Sequence, residues 1–295
     1  MKASVIIRTY NEQTHLEELL VAISNQNCKF EYEIIVVDSG STDNTLNIIK
    51  KFDTKIIHLK KEEFSFGHSL NLGCKASTGE YLVFISGHCV PENEKWLHQL
   101  IEPLVAGTAD YTFGTQKGRD TTKFSEYQIF EKYFPNKPHR SGDLVFCNNA
   151  NAAIKKDVWR KYTFNETLTG LEDIYLSQQL INDGGKVEYV PSSSVYHIHD
   201  ESWSQILNRY EREAIAIAKI APNLNINFSD MIYFICNAIY VDLKIASKKK
   251  ILIRNLLSIV MFRCLQYYGS YRGNILGRKC NLYMYPSKTK DKDYF

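Results

Sequence analysis

Short apolar runs alternate with amphipathic stretches over the first hundred residues, and this alternation limits what the chain can fold into. Runs rich in β-branched residues stand at 4–8, 33–37, 55–59 and 81–85. Each run is followed by residues whose apolar positions have helical spacing. Strands that alternate with helices over short links form a mostly parallel sheet with helices packed on it. The sequence therefore predicts an α/β fold.

The predicted helices between these strands carry their own start and stop signals. Thr14 and Glu17 have the spacing of a capping box in front of an apolar stripe that begins at Leu16. A second helix, which carries Leu46, Ile49 and Phe52, is predicted after Gly40-Ser41-Thr42. A third is predicted over 66–76, where a Thr-Gly pair ends it, and a fourth follows Pro91.

Beyond residue 108 the pattern is less regular. Short strands are predicted at 111–114 and 187–190, and a helix at 174–183. After Trp203 the pattern is helical to about Tyr271. We therefore predict an α/β domain over residues 1–202 and a helical C-terminal extension over 203–295.

Composition indicates a folded protein of a reducing compartment. Hydrophobic residues make up 44% and charged residues 23%, which are ordinary values. Seven cysteines occur without a Cys-x-x-Cys pair, which argues against a disulfide framework or a zinc knuckle. The apolar run at 4–7 leaves no room for a signal peptide, and no apolar stretch reaches the roughly 18 residues of a membrane span. We expect a cytoplasmic location.

The charge is distributed unevenly along the chain. Residues 243–290 contain eleven Lys or Arg and no Asp or Glu, which leaves 25 basic and 33 acidic residues elsewhere, a net charge of −8. Such a basic stretch is either a solvated helical face or a contact for an anionic surface. Because residues 228–277 also contain apolar stretches, we predict that they dock on the inner face of an anionic membrane or on a partner's acidic face. We expect no nucleic-acid partner.

Polar residues follow three of the predicted strands. In a parallel sheet these ends meet at one edge, where ligands bind. A carboxylate there accepts hydrogen bonds from a ribose hydroxyl or a base N–H, although each residue also suits a turn or a helix N-cap. The residues are Thr9, Asn11 and Glu12, then Asp38 and Ser39, then Ser86 and His88.

The sequence lacks the motifs of several enzyme classes. The sequence contains no Gly-x-Gly-x-x-Gly, no Gly-x-x-x-x-Gly-Lys-[Ser/Thr] and no Gly-x-Ser-x-Gly. These absences argue against a dehydrogenase, a P-loop enzyme and an α/β-hydrolase.

Two further groups contain residues that can act in catalysis or bind an ion: an acidic pair and a pair of histidines. Glu172 and Asp173 lie at the start of the predicted helix near 174. Acidic residues in a first helical turn complement the helix dipole, and the pattern alone favours this structural role for them. His197 and His199 are separated by one residue after the strand at 187–190, so on an extended segment both point to one face. Two imidazoles on one face suit a metal ion or a phosphate.

The order of these segments resembles glycosyltransferase family 2 over residues 4–200. The similar segments are SVIIRTYNE (4–12), IIVVDSGSTDNT (34–45), FGHSLNLGCKASTGEYLVFIS (66–86), CNNANAAIKKDVW (147–159) and GLEDIYLSQQL (170–180). The VYHIHDES segment (195–202) resembles that of rhamnosyltransferase-like members of the family. The resemblance implies an A-type, nucleotide-binding glycosyltransferase fold. It also implies an inverting reaction, in which a sugar moves from a nucleoside-diphosphate sugar to an acceptor hydroxyl.

The resemblance assigns roles to individual residues. Asp173 becomes the catalytic base, in place of the helix-dipole role. Arg8 stands where the family commonly has proline, and a cation there suits a phosphate. The expected acceptor is a glycan or a lipid-linked saccharide, as in bacterial-type surface glycan synthesis. The expected donor-binding residues are Arg8, Thr9, Asn11, Glu12, Asp38, Ser39, Asn71 and Ser86.

The chain departs from the family where an Asp-x-Asp motif usually holds a divalent ion. Ser86-Gly87-His88 stands there instead. We predict a donor-dependent ion site formed by His88, His197 and His199, with Mn²⁺ favoured over Mg²⁺ because imidazole is a softer ligand than carboxylate. Alternatively, Arg8 and protonated histidines neutralise the diphosphate without an ion. The missing carboxylates also leave a non-catalytic nucleotide-sugar or glycan-binding module as the alternative function. A nucleotidyltransferase, also an α/β enzyme that binds nucleotides at strand ends, is a second alternative, although the glycine-rich loop that it normally needs is absent from the sequence.

Overall fold

The computed structural model describes residues 1–137 and 146–282, which contain eight strands and ten α-helices. The strands are β1 (Lys2–Thr9), β2 (Glu31–Asp38), β3 (Lys55–His58), β4 (Tyr81–Ser86), β5 (Cys89–Pro91), β6 (Tyr111–Lys117), β7 (Asn151–Lys155) and β8 (Val187–His197). The helices are α1 (Leu16–Ser24), α2 (Thr45–Ile49), α3 (Phe66–Ala76), α4 (Trp96–Val105), α5 (Phe124–Tyr133), α6 (Lys156–Lys161), α7 (Glu172–Asn182), α8 (Trp203–Ile220), α9 (Phe228–Lys248) and α10 (Leu252–Leu282).

All eight described strands form one mixed sheet in the order β3-β2-β1-β4-β7-β6-β8-β5. Strands β3, β2, β1 and β4 are parallel, as are β6 and β8. Strand β7 runs antiparallel between β4 and β6, and β5 runs antiparallel to β8. The predicted α/β fold with a parallel sheet is thus confirmed in the first half of the chain, while antiparallel strands complete the second half.

Both faces of the sheet are buried. Along β1, Val5 and Ile7 pack in a core with Leu16 and Trp96, whereas Ile6 packs in a second core with Leu70. Side chains alternate between the faces of a strand, so a strand covered on both faces reads as a continuous apolar run. This arrangement explains why the β1 and β2 segments lack polar alternation.

The capping box predicted at Thr14 and Glu17 is wrong. Helix α1 has His15 at its N-cap, and no side chain caps it. The carbonyl of Glu12 instead accepts hydrogen bonds from the main-chain N–H groups of His15 and Leu16, at 3.3 and 3.1 Å. A backbone turn therefore satisfies these N–H groups in place of the Thr14 side chain.

Two compact units make up the described chain. The first comprises Met1–Asp120, Phe130–Thr167 and Glu172–His199, and it contains the sheet. The second comprises Thr121–Ile129, Leu168–Leu171 and the chain from Asp200 onward, with α8, α9 and α10.

Helices α8 and α10 of the second unit approach closely along a row of glycines. Gly269, Gly273 and Gly277 are spaced four residues apart on α10 and therefore share one face. A Cβ atom on Gly273 would lie 2.1 Å from the Glu211 carbonyl oxygen, and one on Gly277 would lie 2.7 Å from the Ala218 Cβ. Their lack of a side chain is what lets the two helices touch.

Helices α9 and α10 are joined by a buried ion pair. The Arg263 Nε and Nη2 donate to the two Asp242 carboxylate oxygens at 2.7 and 2.9 Å.

Among the described residues, no helix combines the length and the apolar character needed to cross a membrane.

Candidate active site

The carboxyl ends of β1, β2 and β4 lie side by side. Thr9 pairs with Asp38 and Arg8 pairs with Ser86 in the sheet register. The Ser39 N–H donates to the Thr9 carbonyl at 3.0 Å, and the Gly87 N–H donates to the Arg8 carbonyl at 3.0 Å. The structure therefore brings together the residues predicted at these three strand ends, as the parallel topology requires.

Two turns at this edge are joined by a side-chain hydrogen bond. Asn11 has a left-handed φ of 53°, and its Oδ1 accepts from the Thr42 N–H at 2.8 Å. The Asp38 carboxylate is buried, and its Oδ2 accepts from the N–H groups of Gly40 and Ser41, both at 3.1 Å. Asn11 and Asp38 thus fix the shape of the β1–α1 and β2–α2 turns.

Three histidines converge at the end of β4 and the end of β8. The His197 Nε2 lies 3.1 Å from the His88 Nε2 and 2.8 Å from the His199 Nε2. The antiparallel pairing of β5 with β8, which sets Cys89 opposite His197, brings them together. One nitrogen from each of the three rings lies within 4.8 Å of the other two, a spacing compatible with a metal ion.

Two side chains contact the Nδ1 atoms of His88 and His197. The Glu12 Oε1 lies 2.6 Å from the His88 Nδ1, and the Gln116 Oε1 lies 2.6 Å from the His197 Nδ1. Glu12 was predicted to bind the nucleotide, and in the structure its carboxylate contacts His88. Gln116 was not predicted.

Asp173 is buried in the first turn of α7. Its Oδ2 accepts from the Asn149 N–H and its Oδ1 accepts from the Ile174 N–H, both at 2.8 Å. Burial, together with the neighbouring Glu172 carboxylate, raises the pKa of Asp173 to about 7. Leu171, directly before Glu172, has a left-handed φ of 59°, an uncommon conformation for a branched side chain. Such a carboxylate exchanges protons near neutral pH, as a general base must.

Arg8 lies beside the acidic pair. Its Nη1 is 3.5 Å from the Glu172 Oε1, and its guanidinium lies 5.1 Å from the centre of the Phe66 ring. Glu172 is almost fully buried. The cation predicted to hold a phosphate therefore also compensates a buried carboxylate.

Asn71 belongs to the framework of the first unit. Its Nδ2 donates to the Phe164 carbonyl and to Glu166, while its Oδ1 accepts from the Trp159 Nε1 and from the Phe164 N–H, all at 2.8–3.1 Å. These four bonds use the donors and acceptors of the amide. Asn71 was predicted to bind the donor, and in the structure its side chain ties α3 to residues 159–166.

Comparison with known sequences decides the family. Residues 4–163, more than half of the chain, match the family described as Glycosyl transferase family 2. The chain belongs to glycosyltransferase family 2. The predicted resemblance is thereby confirmed.

Relatives of this family 2 chain are named as glycosyltransferases. Glycosyltransferase AglE of Haloferax volcanii is 33% identical over 122 residues, 37% of this chain and 40% of that protein. The O-antigen chain rhamnosyltransferase WbaN of Salmonella anatum is 24% identical over 234 residues, 70% of this chain and 69% of that protein. The match thus spans less than half of AglE, and the WbaN match supports the predicted rhamnosyltransferase-like branch.

The fold is that of a solved glycosyltransferase. The mannosyltransferase PcManGT from Pyrobaculum calidifontis, in complex with GDP-Man and Mn²⁺, superimposes with a TM-score of 0.60 at 16% identity, covering 95% of this chain and 87% of that chain. This similarity confirms the predicted A-type glycosyltransferase fold.

Three buried polar atoms of the candidate site lack a hydrogen-bond partner in the described part of the chain, and only one of their residues was named from the sequence as a site residue. The Thr9 Oγ1, the Gln116 Nε2 and the Asn149 Nδ2 have no hydrogen-bond partner among the described residues. Buried polar atoms are normally paired, so unpaired ones mark places where a ligand can supply the partner. Thr9 was predicted from its place at the end of β1, and Asn149 lies within the CNNAN segment that resembles the family, whereas no sequence signal pointed to Gln116.

Proposed function

We propose that the chain is an inverting glycosyltransferase that moves a sugar from a nucleoside-diphosphate sugar to an acceptor hydroxyl. The observation that carries this proposal is Asp173, a buried carboxylate with a pKa raised to about 7 that is held by two main-chain N–H groups. A fixed carboxylate half ionised at neutral pH suits the base of such a transfer.

In the proposed reaction, the acceptor oxygen attacks the anomeric carbon as its proton passes to Asp173. The bond from that carbon to the diphosphate oxygen breaks, and the nucleoside diphosphate leaves with the electron pair. Attack opposite the leaving group inverts the anomeric centre. The Asn149 and Ile174 N–H groups keep the carboxylate oriented, which limits the reorganisation that the step requires.

The donor nucleotide is assigned to the edge formed by β1, β2 and β4. Thr9, Asn11, Asp38, Ser39 and Ser86 lie there, and the unpaired Thr9 Oγ1 is available to a ligand. Arg8 would balance the charge of the diphosphate. The GDP-Man complex of PcManGT, which has the same fold, supports a nucleotide-sugar donor.

A divalent ion fits the histidine cluster. His88, His197 and His199 would hold it through nitrogen, and the contacts at 2.6 Å from Glu12 and Gln116 leave the converging nitrogens able to act as ligands. A bound divalent ion would supply positive charge to the leaving diphosphate. The Mn²⁺ complex of PcManGT supports an ion of this kind.

The proposed acceptor is a glycan or a lipid-linked saccharide of a surface polysaccharide. The match to WbaN, an O-antigen chain rhamnosyltransferase, supports this class. A lipid-linked acceptor also gives a reason for the basic residues of 228–277, which we propose contact the cytoplasmic face of a membrane.

The decisive experiment incubates the full chain with a panel of nucleoside-diphosphate sugars, with and without saccharide acceptors. We expect one donor to raise the melting temperature, because a ligand that binds the folded state stabilises it. We expect the same donor to release nucleoside diphosphate when an acceptor is present. Binding without turnover would instead indicate a binding module, and release of pyrophosphate would indicate a nucleotidyltransferase.

A further inference from the structure

We propose that Glu12 and Gln116 fix the tautomers of His88 and His197, so that the three histidines form a preformed nitrogen site that selects Co²⁺ and Zn²⁺ over Mg²⁺ and binds them without donor. This inference rests on the ion site proposed above. It adds two positioning residues, a metal preference and independence from the donor, which differs from the donor-dependent Mn²⁺ site predicted from sequence.

The tautomers follow from the partners of the Nδ1 atoms. An ionised carboxylate only accepts hydrogen bonds, so the His88 Nδ1, 2.6 Å from the Glu12 Oε1, carries a proton. An amide oxygen also only accepts, so the His197 Nδ1, 2.6 Å from the Gln116 Oε1, carries one too. In the neutral form, each ring therefore presents a lone pair at Nε2.

These lone pairs point toward shared space. The His88 Nε2 and His197 Nε2 are 3.1 Å apart, and the His199 Nε2 is 2.8 Å from the His197 Nε2. A proton can bridge a single nitrogen pair at this distance, whereas a metal ion accepts electron pairs from all three nitrogens together. The arrangement is the three-imidazole set that zinc commonly takes.

The cluster is held rigidly enough to exist before a donor arrives. Gln116 and His197 are both almost fully buried and lie on the neighbouring strands β6 and β8. The Phe130 ring packs against two histidines of the cluster, with its centroid 6.0 Å from the centroids of both the His197 and the His199 rings. Ligands supported by buried neighbours need little reorganisation to bind an ion.

Nitrogen donors determine the selectivity. Mg²⁺ requires oxygen ligands and gives up its water reluctantly, so a set of three imidazoles offers it little. Affinity at nitrogen sites rises from Mn²⁺ to Co²⁺, and Zn²⁺ also binds imidazole well. We therefore expect the order Zn²⁺ and Co²⁺ above Mn²⁺, and Mn²⁺ above Mg²⁺.

The test measures metal binding by the full chain in the absence of nucleotide sugar. Titration calorimetry with each ion, and the visible spectrum of bound Co²⁺, report binding and nitrogen ligation directly. We expect Co²⁺ and Zn²⁺ to bind one per chain and Mg²⁺ to give no heat. Binding of Mg²⁺ as tight as that of Co²⁺ would overturn the proposed selectivity.

Substitutions test the two positioning residues. Gln116→Leu and Glu12→Ala should each weaken Co²⁺ binding about 10- to 100-fold, the usual effect of losing a partner behind a metal ligand. Gln116→Glu keeps an acceptor oxygen and should bind Co²⁺ more tightly than Gln116→Leu does. Gln178→Leu, at an exposed position of α7, is the matched control and should leave Co²⁺ binding unchanged. Circular dichroism checks folding, and if Gln116→Leu fails to fold, Glu12→Ala and Gln116→Glu decide the question.

The outcomes separate this inference from the proposed function. Unchanged Co²⁺ affinity in Glu12→Ala and in folded Gln116→Leu would refute the positioning roles, whereas sugar transfer by the wild type would still support the transferase. Selective metal binding without transfer from any donor would support the site and count against the transferase.

Discussion

Two buried carboxylates of the site, Asp38 and Asp173, are held in different ways. Asp38 accepts N–H bonds within its own turn, so removing it should disturb the turn and weaken nucleotide binding. Asp173 accepts two N–H bonds but lies next to Glu172, and burial keeps its proton bound up to about pH 7. The first environment suits a framework role and the second suits proton transfer.

Substitution of Asp173 tests the base. Asp173→Asn should lower the rate of transfer on the order of a hundred- to ten-thousand-fold, because a positioned base is lost while the shape is kept. Donor affinity should stay nearly unchanged, since the base acts on the acceptor. Initial rates and donor titration measure the two quantities. Wild-type turnover in the variant would remove Asp173 from the mechanism.

The pH dependence of the wild type follows from the same carboxylate. The raised pKa means that Asp173 is protonated, and inactive as a base, below about pH 7. The rate should therefore fall about tenfold for each pH unit below that value and level off above it. A pH profile at saturating donor measures this. A rate that stays constant from pH 5 to pH 8 would contradict the assignment.

Loss of the ion should be visible in activity. Chelation with EDTA should lower transfer, and Mn²⁺ should restore it better than Mg²⁺ because the ligands are nitrogens. His88→Ala should impair that rescue. Activity assays with added ions measure it, and full activity in EDTA would refute a metal requirement while leaving the transferase intact.

Among the elements, segments with a clear local pattern were predicted well, including the short strand β3, whereas strands without such a pattern were missed. Helix α3 has the predicted bounds, 66–76, because its apolar spacing and end signal agree. Strands β5 and β7 were missed because they have only three and five residues and start beside polar ones. Their positions depend on pairing with distant strands, which no local pattern contains.

Strand β8 is longer than predicted for a physical reason. The prediction ended it at Val190, before Pro191. In the structure the pairing with β6 shifts register between Gly114 and Thr115, and Thr115 then pairs with Ser194. The irregularity accommodates the proline, so the strand continues to His197.

For the site residues too, local patterns and topology were predictable from the sequence, whereas contacts between distant side chains were not. The polar residues at strand ends were found because topology alone brings them together. The Glu12–His88 contact joins residues 76 apart in sequence, and the Asn71–Glu166 contact joins residues 95 apart. Such contacts depend on side-chain packing between distant segments, so no local pattern predicts the hydrogen bonds that Asn71 makes with residues 159–166.

The glycine row on α10 makes a prediction about stability. Gly273→Ala should destabilise the helical unit, because the new Cβ would lie 2.1 Å from the Glu211 carbonyl oxygen, a clash that outweighs the higher helix propensity of alanine, about 1 kcal/mol. Gly170→Ala, whose Cβ would meet nothing closer than 3.8 Å, is the control. Thermal unfolding measures both, and an unchanged melting temperature for Gly273→Ala would contradict the packing.

On the scale of the whole molecule, apolar exposure and positive charge coincide in the helical unit. Ile253 is 95% exposed, Leu257 75% and Tyr233 65%. Lys248, Lys249 and Lys250 are exposed at the α9–α10 turn, and no acidic residue follows Leu243 in the described chain. Self-association through this face would bring like charges together, whereas anionic lipid would neutralise them.

Vesicle binding tests this surface. The full chain should float with phosphatidylserine-containing vesicles at low salt, and less as salt rises, since each Lys near the lipid contributes about 1 kcal/mol. The triple substitution K248E/K249E/K250E should abolish flotation, while Lys50→Glu in the first unit should not. Absence of wild-type flotation at low salt would contradict membrane contact, and a concentration-dependent dimer would point to self-association instead.

The histidine cluster also has a consequence for how the chain folds. His88 and His197 are 109 residues apart in sequence, and the pairing of β5 with β8 joins them. During synthesis, most of the first unit must emerge before these nitrogens can meet, so an ion cannot help the early strands to form. Once bound, the ion would close a loop of more than a hundred residues and act as a reversible crosslink, whose removal should speed unfolding.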